Sequence, residues 1–347
     1  MKKIKNMQLW VVGLFAALML VLAPFNSTLA ADFCQDLWGK PCKSIPTSYE
    51  PENPEYYFHI VMHTSPHPFW YTMARGAIEA AKRYNVKVVV EMFPRESLED
   101  TANRFDQVVG LNPDGMVTAI TNVKLMDKPV RRAIKRGIPV VASNVPDLRP
   151  VGERLPYLLY VGPSEFLHGQ LLARELLKHR PSFKKVLITN HQPGLSVLEQ
   201  RILGVKDVLE PLGTKVDTIR VSRNPSEVQE QVRAYFTRSP DTEGFVSLAT
   251  YVNDVARQFF REDGLTGKVV NITTEMCSEC AEAVRKGELI AMSDQQIFLQ
   301  GYLPVHWLYL YKKWGFEPAS DMLTGPVMIS KDNVDTVQEG IDGKWRF

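Results

Sequence analysis

Short apolar runs of β character alternate with stretches whose apolar residues recur at helical spacing, and this alternation passes along the chain twice. Tyr56 to His63 is the first β-type run, and Pro68 to Asn85 repeats Phe69, Met73, Ala77, Ala80, Ala81 and Tyr84 at helical intervals. Strands at Val86 to Phe93, Gly115 to Ile120 and Ile138 to Ser143 then alternate with helices at Leu98 to Leu111 and Val130 to Arg136. After a strand at Tyr157 to Val161 and a helix at Phe166 to His179, the pattern starts afresh. Strands are expected at Lys185 to Asn190, Val216 to Val221, Gly244 to Ala249, Val269 to Thr273 and Leu289 to Met292. Helices are expected at Ser196 to Leu212, Pro225 to Thr237, Tyr251 to Glu262 and Cys277 to Lys286, with a further helix at Gly301 to Trp314 and a last short strand at Pro326 to Ser330. Apolar strands alternating with amphipathic helices imply parallel sheets covered on both faces. At 347 residues the chain exceeds the size at which one core keeps growing, so the expected fold is α/β with two similar doubly wound lobes.

The first thirty positions read as a secretory signal. Lys2, Lys3 and Lys5 precede an uncharged apolar run from Leu9 to Phe25, and small residues around Ala30 suit a peptidase, so cleavage is expected near Ala30 and the mature protein in the periplasm. Residues 31–55 carry Pro41, Pro46, Pro51 and Pro54 with little periodicity and read as an extended arm outside the main fold. Removing the three lysines leaves 38 basic against 39 acidic side chains. No field of one sign remains to attract nucleic acid or anionic lipid, so a partner must be recognised at a local site. Export permits disulfides. Cys34 with Cys42 and Cys277 with Cys280 are the most local pairing of the four cysteines, although sequence leaves three connectivities open. The Cys277-x-x-Cys280 spacing also suits a redox or metal pair, against a bland reading as a structural bridge; no second Cys-x-x-Cys completes a four-thiolate zinc site.

In open sheets a ligand binds beyond the carboxyl ends of the strands, which makes those ends the places to look for chemistry. The first offers His63, Thr64, Ser65, His67, Phe69 and Trp70: a flat apolar platform beside hydroxyl and imidazole groups, the combination a sugar requires. His59, His63 and His67 are four apart, but Pro66 and Pro68 exclude the continuous helix a metal face would need. Asn144 follows another strand and can both donate to and accept from a hydroxyl. In the second half, Arg201, Thr250, Glu275 and Gln295 occupy corresponding positions, a fork of donors, a hydroxyl, a carboxylate and an amide. Each has a bland alternative. Phe69 and Trp70 can simply pack a helical turn, Arg201 can be a solvated surface arginine, and the others can cap helices.

The sequence resembles the type I periplasmic binding proteins of sugar ABC transporters, near the ribose-binding branch, over about residues 56 to 335. The resemblance rests on Pro68-Phe69-Trp70, on Gly137-Ile138-Pro139-Val140-Val141 before Asn144, on Arg201-x-x-Gly204, on Glu275 followed by Ala281 to Gly287, and above all on Asp294 to Tyr302. It implies ligand contacts at Ser65, His67, Phe69, Trp70 and Asn144 in the first lobe and at Arg201, Thr250, Glu275 and Gln295 in the second. It also implies hinge crossovers near Val161, Gln296 and Met322, giving an N-terminal lobe of 56–161 plus 296–322 and a C-terminal lobe of 162–295 plus 323–347. The implied function is capture of a small sugar or polyol and its delivery to a membrane permease by a monomer without cofactor, metal or nucleic acid. Asn144-Val145 stands where ribose-type proteins carry Asp-Arg, and Glu275 where they carry Asp. Asn144 with Trp70 and Arg201 is also similar to periplasmic autoinducer receptors that report to a sensor kinase ectodomain, the alternative function. No Gly-x-Ser-x-Gly elbow, His-Glu-x-x-His, Walker lysine loop or glycine-rich dinucleotide motif occurs, so no enzyme is expected.

Overall fold

The computed structural model describes residues 45–64, 67–93 and 97–347. The signal segment, Cys34, Cys42 and Ser65 lie outside the described residues. The chain begins with β1 (Ser48–Tyr49), β2 (Tyr57–Val61), α1 (Pro68–Tyr84), β3 (Lys87–Glu91), α2 (Leu98–Gly110), β4 (Gly115–Thr118), α3 (Val123–Lys135), β5 (Val140–Ser143) and β6 (Tyr160–Gly162). The second series is α4 (Glu165–His179), β7 (Lys185–Asn190), α5 (Ser196–Leu209), β8 (Lys215–Arg220), α6 (Pro225–Arg238), β9 (Gly244–Ser247), α7 (Thr250–Glu262), β10 (Val270–Thr274), α8 (Ser278–Lys286) and β11 (Ala291–Asp294). It closes with α9 (Ile297–Trp314), β12 (Met322–Leu323), β13 (Val327–Ser330) and α10 (Gln338–Asp342).

Two sheets result, ordered β1-β3-β2-β4-β5-β6-β12 and β13-β11-β10-β9-β7-β8. All neighbouring pairs are parallel except β1 with β3 and β13 with β11. Taken from the first parallel strand of each, both are wound in the same order, and the winding reverses beside β2 in one sheet and beside β7 in the other. The switch points fall there. Since β6 and β12 belong to one sheet and β11 and β13 to the other, the chain passes between them after β6, after β11 and after β12. The strands are buried on both faces, which is why they read as continuous apolar runs: all four residues of β4, β5 and β9 are buried, and Phe58, Ile60, Phe245 and Ile272 are fully shielded from solvent.

Local chemistry sets several boundaries. α1 opens with Pro68 in the first turn and His67 as its cap, the ring accepting from the Phe69 N–H, and it ends at Asn85 with φ 52°. The helix expected at Val130 to Arg136 starts earlier, at Val123, capped by the Asn122 side chain; Pro129 sits inside it at the cost of one backbone bond. α9 likewise begins at Ile297 rather than Gly301, because Gln296 turns the chain at φ 54° directly after β11. The arm expected outside the fold instead contributes β1, whose Ser48 and Tyr49 pair with Val89 and Val88 at the sheet edge.

Matching helix pairs flank the two sheets. In the first, a Cβ on Gly76 of α1 would lie 2.0 Å from the Phe298 carbonyl of α9, and one on Gly301 1.9 Å from the Met73 carbonyl. In the second, a Cβ on Gly169 of α4 would lie 2.0 Å from the Arg201 carbonyl of α5, and one on Gly204 2.1 Å from that of Phe166. Only glycine allows backbones this close. The close approach places Arg201 directly against α4.

Candidate functional site

The carboxyl ends of both sets of strands meet around a cavity of about 170 Å³. From the first sheet it receives His63, Thr64, His67, Phe69, Trp70 and Asn144; from the second, His191, Gln192, Arg201, Arg223, Tyr251 and Glu275, with Gln295 at the passage between them. Trp70 stands edge-on to Phe69, with ring centroids 4.9 Å apart, and to His63, at 5.4 Å. His67 lines the same space, but its Nδ1 accepts the Phe69 N–H at 3.2 Å and its ring meets that of the C-terminal Phe347. Its role is therefore partly to cap the helix that carries the aromatic pair.

Asn144 and Glu275 occupy equivalent places, one residue after β5 and one after β10, and both are left-handed, at φ 67° and 68°. A left-handed glutamate is uncommon and stores backbone strain. The Asn144 amide donates to Gln300 Oε1 at 3.0 Å, and Gln300 Nε2 donates to the Gln295 carbonyl at 3.0 Å, tying the first sheet to the crossover. The Tyr160 hydroxyl sits between the carbonyls of Asn144 and Pro163, at 2.9 and 3.1 Å. Gln295 Oε1 is buried with no hydrogen-bond partner among the described residues. A buried acceptor without a donor costs free energy on the order of 1–3 kcal/mol, which a ligand hydroxyl would recover.

Arg201 is buried, as its helix position against α4 requires, and is not a surface arginine. Its Nε and Nη2 donate to Glu165 at 2.5 and 2.9 Å, so most of the fork expected to meet a ligand is already engaged. His168 stands 3.2 Å from Glu165 through Nδ1 and 2.5 Å from the Ser293 hydroxyl through Nε2. Burial pushes the Glu165 carboxyl up, but Arg201 and His168 outweigh it and hold the group below its ordinary value. His168 is pulled down to about 4 by burial and by Arg201, so it is neutral at physiological pH. Glu165 and His168 gave no signal in sequence because they lie in the first turn of α4 at a 3-residue spacing common to any amphipathic helix.

Thr250 is not among the residues lining this cavity. It is the first residue of α7 and lines a second groove, and its contribution to the site is a backbone N–H that bonds the Glu275 carboxyl. Its neighbour Tyr251 lines both the cavity and that groove, since successive residues at a helix start point about 100° apart. Burial pushes the Glu275 carboxyl up to about 7; Glu165 adds to the rise, while Arg201 and the Thr250 N–H oppose it. Near neutral pH this group is thus poised between donating and accepting. The consequence for stability has a definite sign. As pH rises from the unfolded carboxyl range towards 7 the unfolded chain ionises and the folded one does not, so Glu275 lowers stability, and the deficit is complete above the folded value. Glu275→Gln should therefore raise stability at pH 8 by about 1–3 kcal/mol relative to its effect at pH 4.5. Urea denaturation of both proteins at the two pH values checks this, and an equal difference at both would show that Glu275 ionises freely. The opposite contribution of His168 is common to both proteins and cancels.

The family model described as periplasmic binding protein domain matches residues 58–315. The chain belongs to the periplasmic binding protein family. Its two lobes have the type I fold of that family. It is 25% identical over 296 residues to a xylose/arabinose-binding protein of Sulfolobus acidocaldarius, covering 82% of this chain and 71% of the relative. Among solved structures, it is similar to a carbohydrate transporter of Acidothermus cellulolyticus in complex with myo-inositol, at TM-score 0.76 and 24% identity, over 84% of this chain and all (100%) of that one. It is also similar to a periplasmic sugar binding protein of an ABC sugar transporter from Legionella pneumophila, at TM-score 0.71 and 26% identity, over 78% of this chain and 100% of that one. Among the described residues no helix is long and apolar enough to cross a membrane. The matched family and the Sulfolobus and Legionella relatives are binding proteins.

Proposed function

We propose that the protein is exported by way of residues 1–30, binds one small sugar or polyol in the cleft between its lobes, and presents it to the membrane permease of an ABC transporter. The observation that carries this reading is the pairing, within one cavity, of the Trp70 ring with the unsatisfied Gln295 acceptor and the Glu275 carboxyl. A sugar ring has an apolar C–H face to lie on the indole and hydroxyls to supply the missing donors. The cavity is smaller than pockets for drug-sized ligands, which suits a single ring rather than a chain of sugars. The pentose and sugar binding named for the Sulfolobus and Legionella relatives supports the same class.

In this reading Trp70 and Phe69 form the platform, Asn144 and Gln295 hold hydroxyls, and Glu275 shares a proton with one of them. Arg201 presents the remaining edge of its guanidinium, and Thr250 acts through Glu275. His67 completes the rim. Because contacts come from both lobes, ligand binds the closed arrangement better than an open one and shifts the population toward it, which is the signal a permease reads. The chain works as a monomer, and its hinge is formed by the three passages near Val161, Gln296 and Met322.

The test is a thermal-shift screen of the mature protein against pentoses, hexoses and cyclitols, followed by titration of tryptophan fluorescence. One class should raise the melting temperature by several degrees at millimolar ligand, by mass action. Trp70→Ala should weaken that ligand at least about tenfold, or about 1.4 kcal/mol. A screen in which no polyol or sugar shifts the transition, or a Trp70→Ala protein with unaltered affinity, overturns the assignment.

A further inference from the structure

Outside the ligand cleft, one cluster combines a disulfide, a helix N-terminus and a carboxyl group. Cys277 and Cys280 are bonded to each other across a separation of three residues, and Cys277 is the N-cap of α8, its sulfur accepting the Cys280 N–H at 3.0 Å. A bridge this local constrains little of the unfolded chain, and the stabilisation a disulfide gives on that account falls as the loop shortens. The two sulfurs are unlike. Cys280 is fully buried, while Cys277 is partly exposed on the wall of a groove of about 980 Å³ that runs beside the cleft. The carboxylate of Asp254, on α7, has an oxygen within 4.8 Å of both sulfurs. Because the sulfurs are bonded to each other, this cluster offers no thiolate pair to a metal.

We propose that Cys277 and Cys280 form a thiol–disulfide exchange site in which Cys277 is the attacked sulfur and Asp254 supplies the proton to Cys280. The reductant is a dithiol borne by a partner or small molecule. Its thiolate attacks Cys277 Sγ, a mixed disulfide forms, and the Cys277–Cys280 bond breaks. The electron pair leaves on Cys280, which takes a proton from the Asp254 carboxyl. The second thiolate of the reductant then attacks its own sulfur in the mixed disulfide and expels Cys277 as thiolate. Two electrons pass to the protein and the dithiol becomes a disulfide; Asp254 regains its proton from solvent.

The surroundings suit each step. A thiolate at Cys277 sits at the positive end of α8, the environment that makes a Cys-x-x-Cys sulfur reactive. Asp254 accepts a hydrogen bond from Arg257 Nη2 in an i,i+3 ion pair, and also faces Arg261 on its own helix and Glu279 on α8, while Arg75, Lys344 and Arg346 line the groove. Burial raises its carboxyl above the ordinary range, with Glu279 adding to the rise and Arg257 and Arg261 opposing it. Its proton is therefore held to higher pH than that of a solvated aspartate.

The site is tested on the folded mature protein, with thiols trapped by alkylation and located by peptide mass. Millimolar dithiothreitol should reduce the Cys277–Cys280 bond within minutes while circular dichroism stays native. Cys280→Ser should trap glutathione on Cys277 when treated with oxidised glutathione; Cys277→Ser should leave Cys280 at least tenfold less modified. Asp254→Asn should slow reduction at least fivefold near pH 7 and less at pH 9, where solvent species replace the carboxyl. The proposal is overturned if the bond is reduced only when denaturant unfolds the chain, if the two single variants are modified equally, or if Asp254→Asn matches the wild type at every pH.

Discussion

Glu165→Ala is expected to destabilise the protein by about 3–5 kcal/mol, the range for removing one partner of a buried ion pair. The side chain receives two donors from Arg201 and stands against His168, and all three residues are buried. Its loss leaves the guanidinium in a low-dielectric space without its hydrogen-bonded counter-charge; the Glu275 carboxyl, which Arg201 draws toward ionisation, acts on it without a hydrogen bond among the described residues. Glu165→Gln keeps the shape and one acceptor but not the charge, and should fall between the two. Urea denaturation followed by circular dichroism measures both. A loss under about 1 kcal/mol for Glu165→Ala would place the pair in the class of exposed ion pairs, whose contribution is small. The same variant should weaken ligand binding, because Arg201 is left without the contact that fixes its remaining edge toward the cavity.

Gly169→Ala should cost about 2–3 kcal/mol, the upper part of the range for adding carbon to a packed interior, even though alanine is the better helix former. The added carbon meets the Arg201 carbonyl, which is backbone and cannot rotate away, so α4 and α5 must part. Parting moves Arg201, and ligand affinity should drop with stability. Gly110→Ala is the control: it lies in α2 with nothing near the added carbon, and its melting temperature should equal or exceed that of the wild type. If Gly169→Ala melts like Gly110→Ala, the two helices are not in the contact described.

Much of the architecture was legible because its signals are local. Val88 to Val90 and Phe58 to Val61 are apolar runs that a buried parallel strand requires, and the glycine of Arg201-x-x-Gly204 marks a helix against another backbone. Less legible was whatever depends on which residue starts a helix. The resemblance implied a ligand contact at Thr250; in the structure α7 begins there, Thr250 lines the outer groove, and Tyr251 lines both that groove and the cleft. The edge strand at Ser48 and Tyr49 was hidden by surrounding prolines, and its pairing partner lies 40 residues on, beyond any window of periodicity. His191, Gln192 and Arg223 also line the cleft, and nothing in their neighbourhoods distinguishes them from ordinary loop residues.

By itself the sequence determined that two similarly wound α/β halves exist and that polar groups gather at their strand ends, since hydrophobic period and burial on both faces of a strand are properties of a few adjacent residues. Only the tertiary structure decided which of those groups share a space and which satisfy one another. Arg201 meets Glu165 across two helices, Asn144 is held by Gln300 from 156 positions away, and Gln295 is left with an acceptor unfilled. Such pairings arise from distance in space and from the cost of burying a charge or a lone pair, and neither is written in the spacing of residues along the chain.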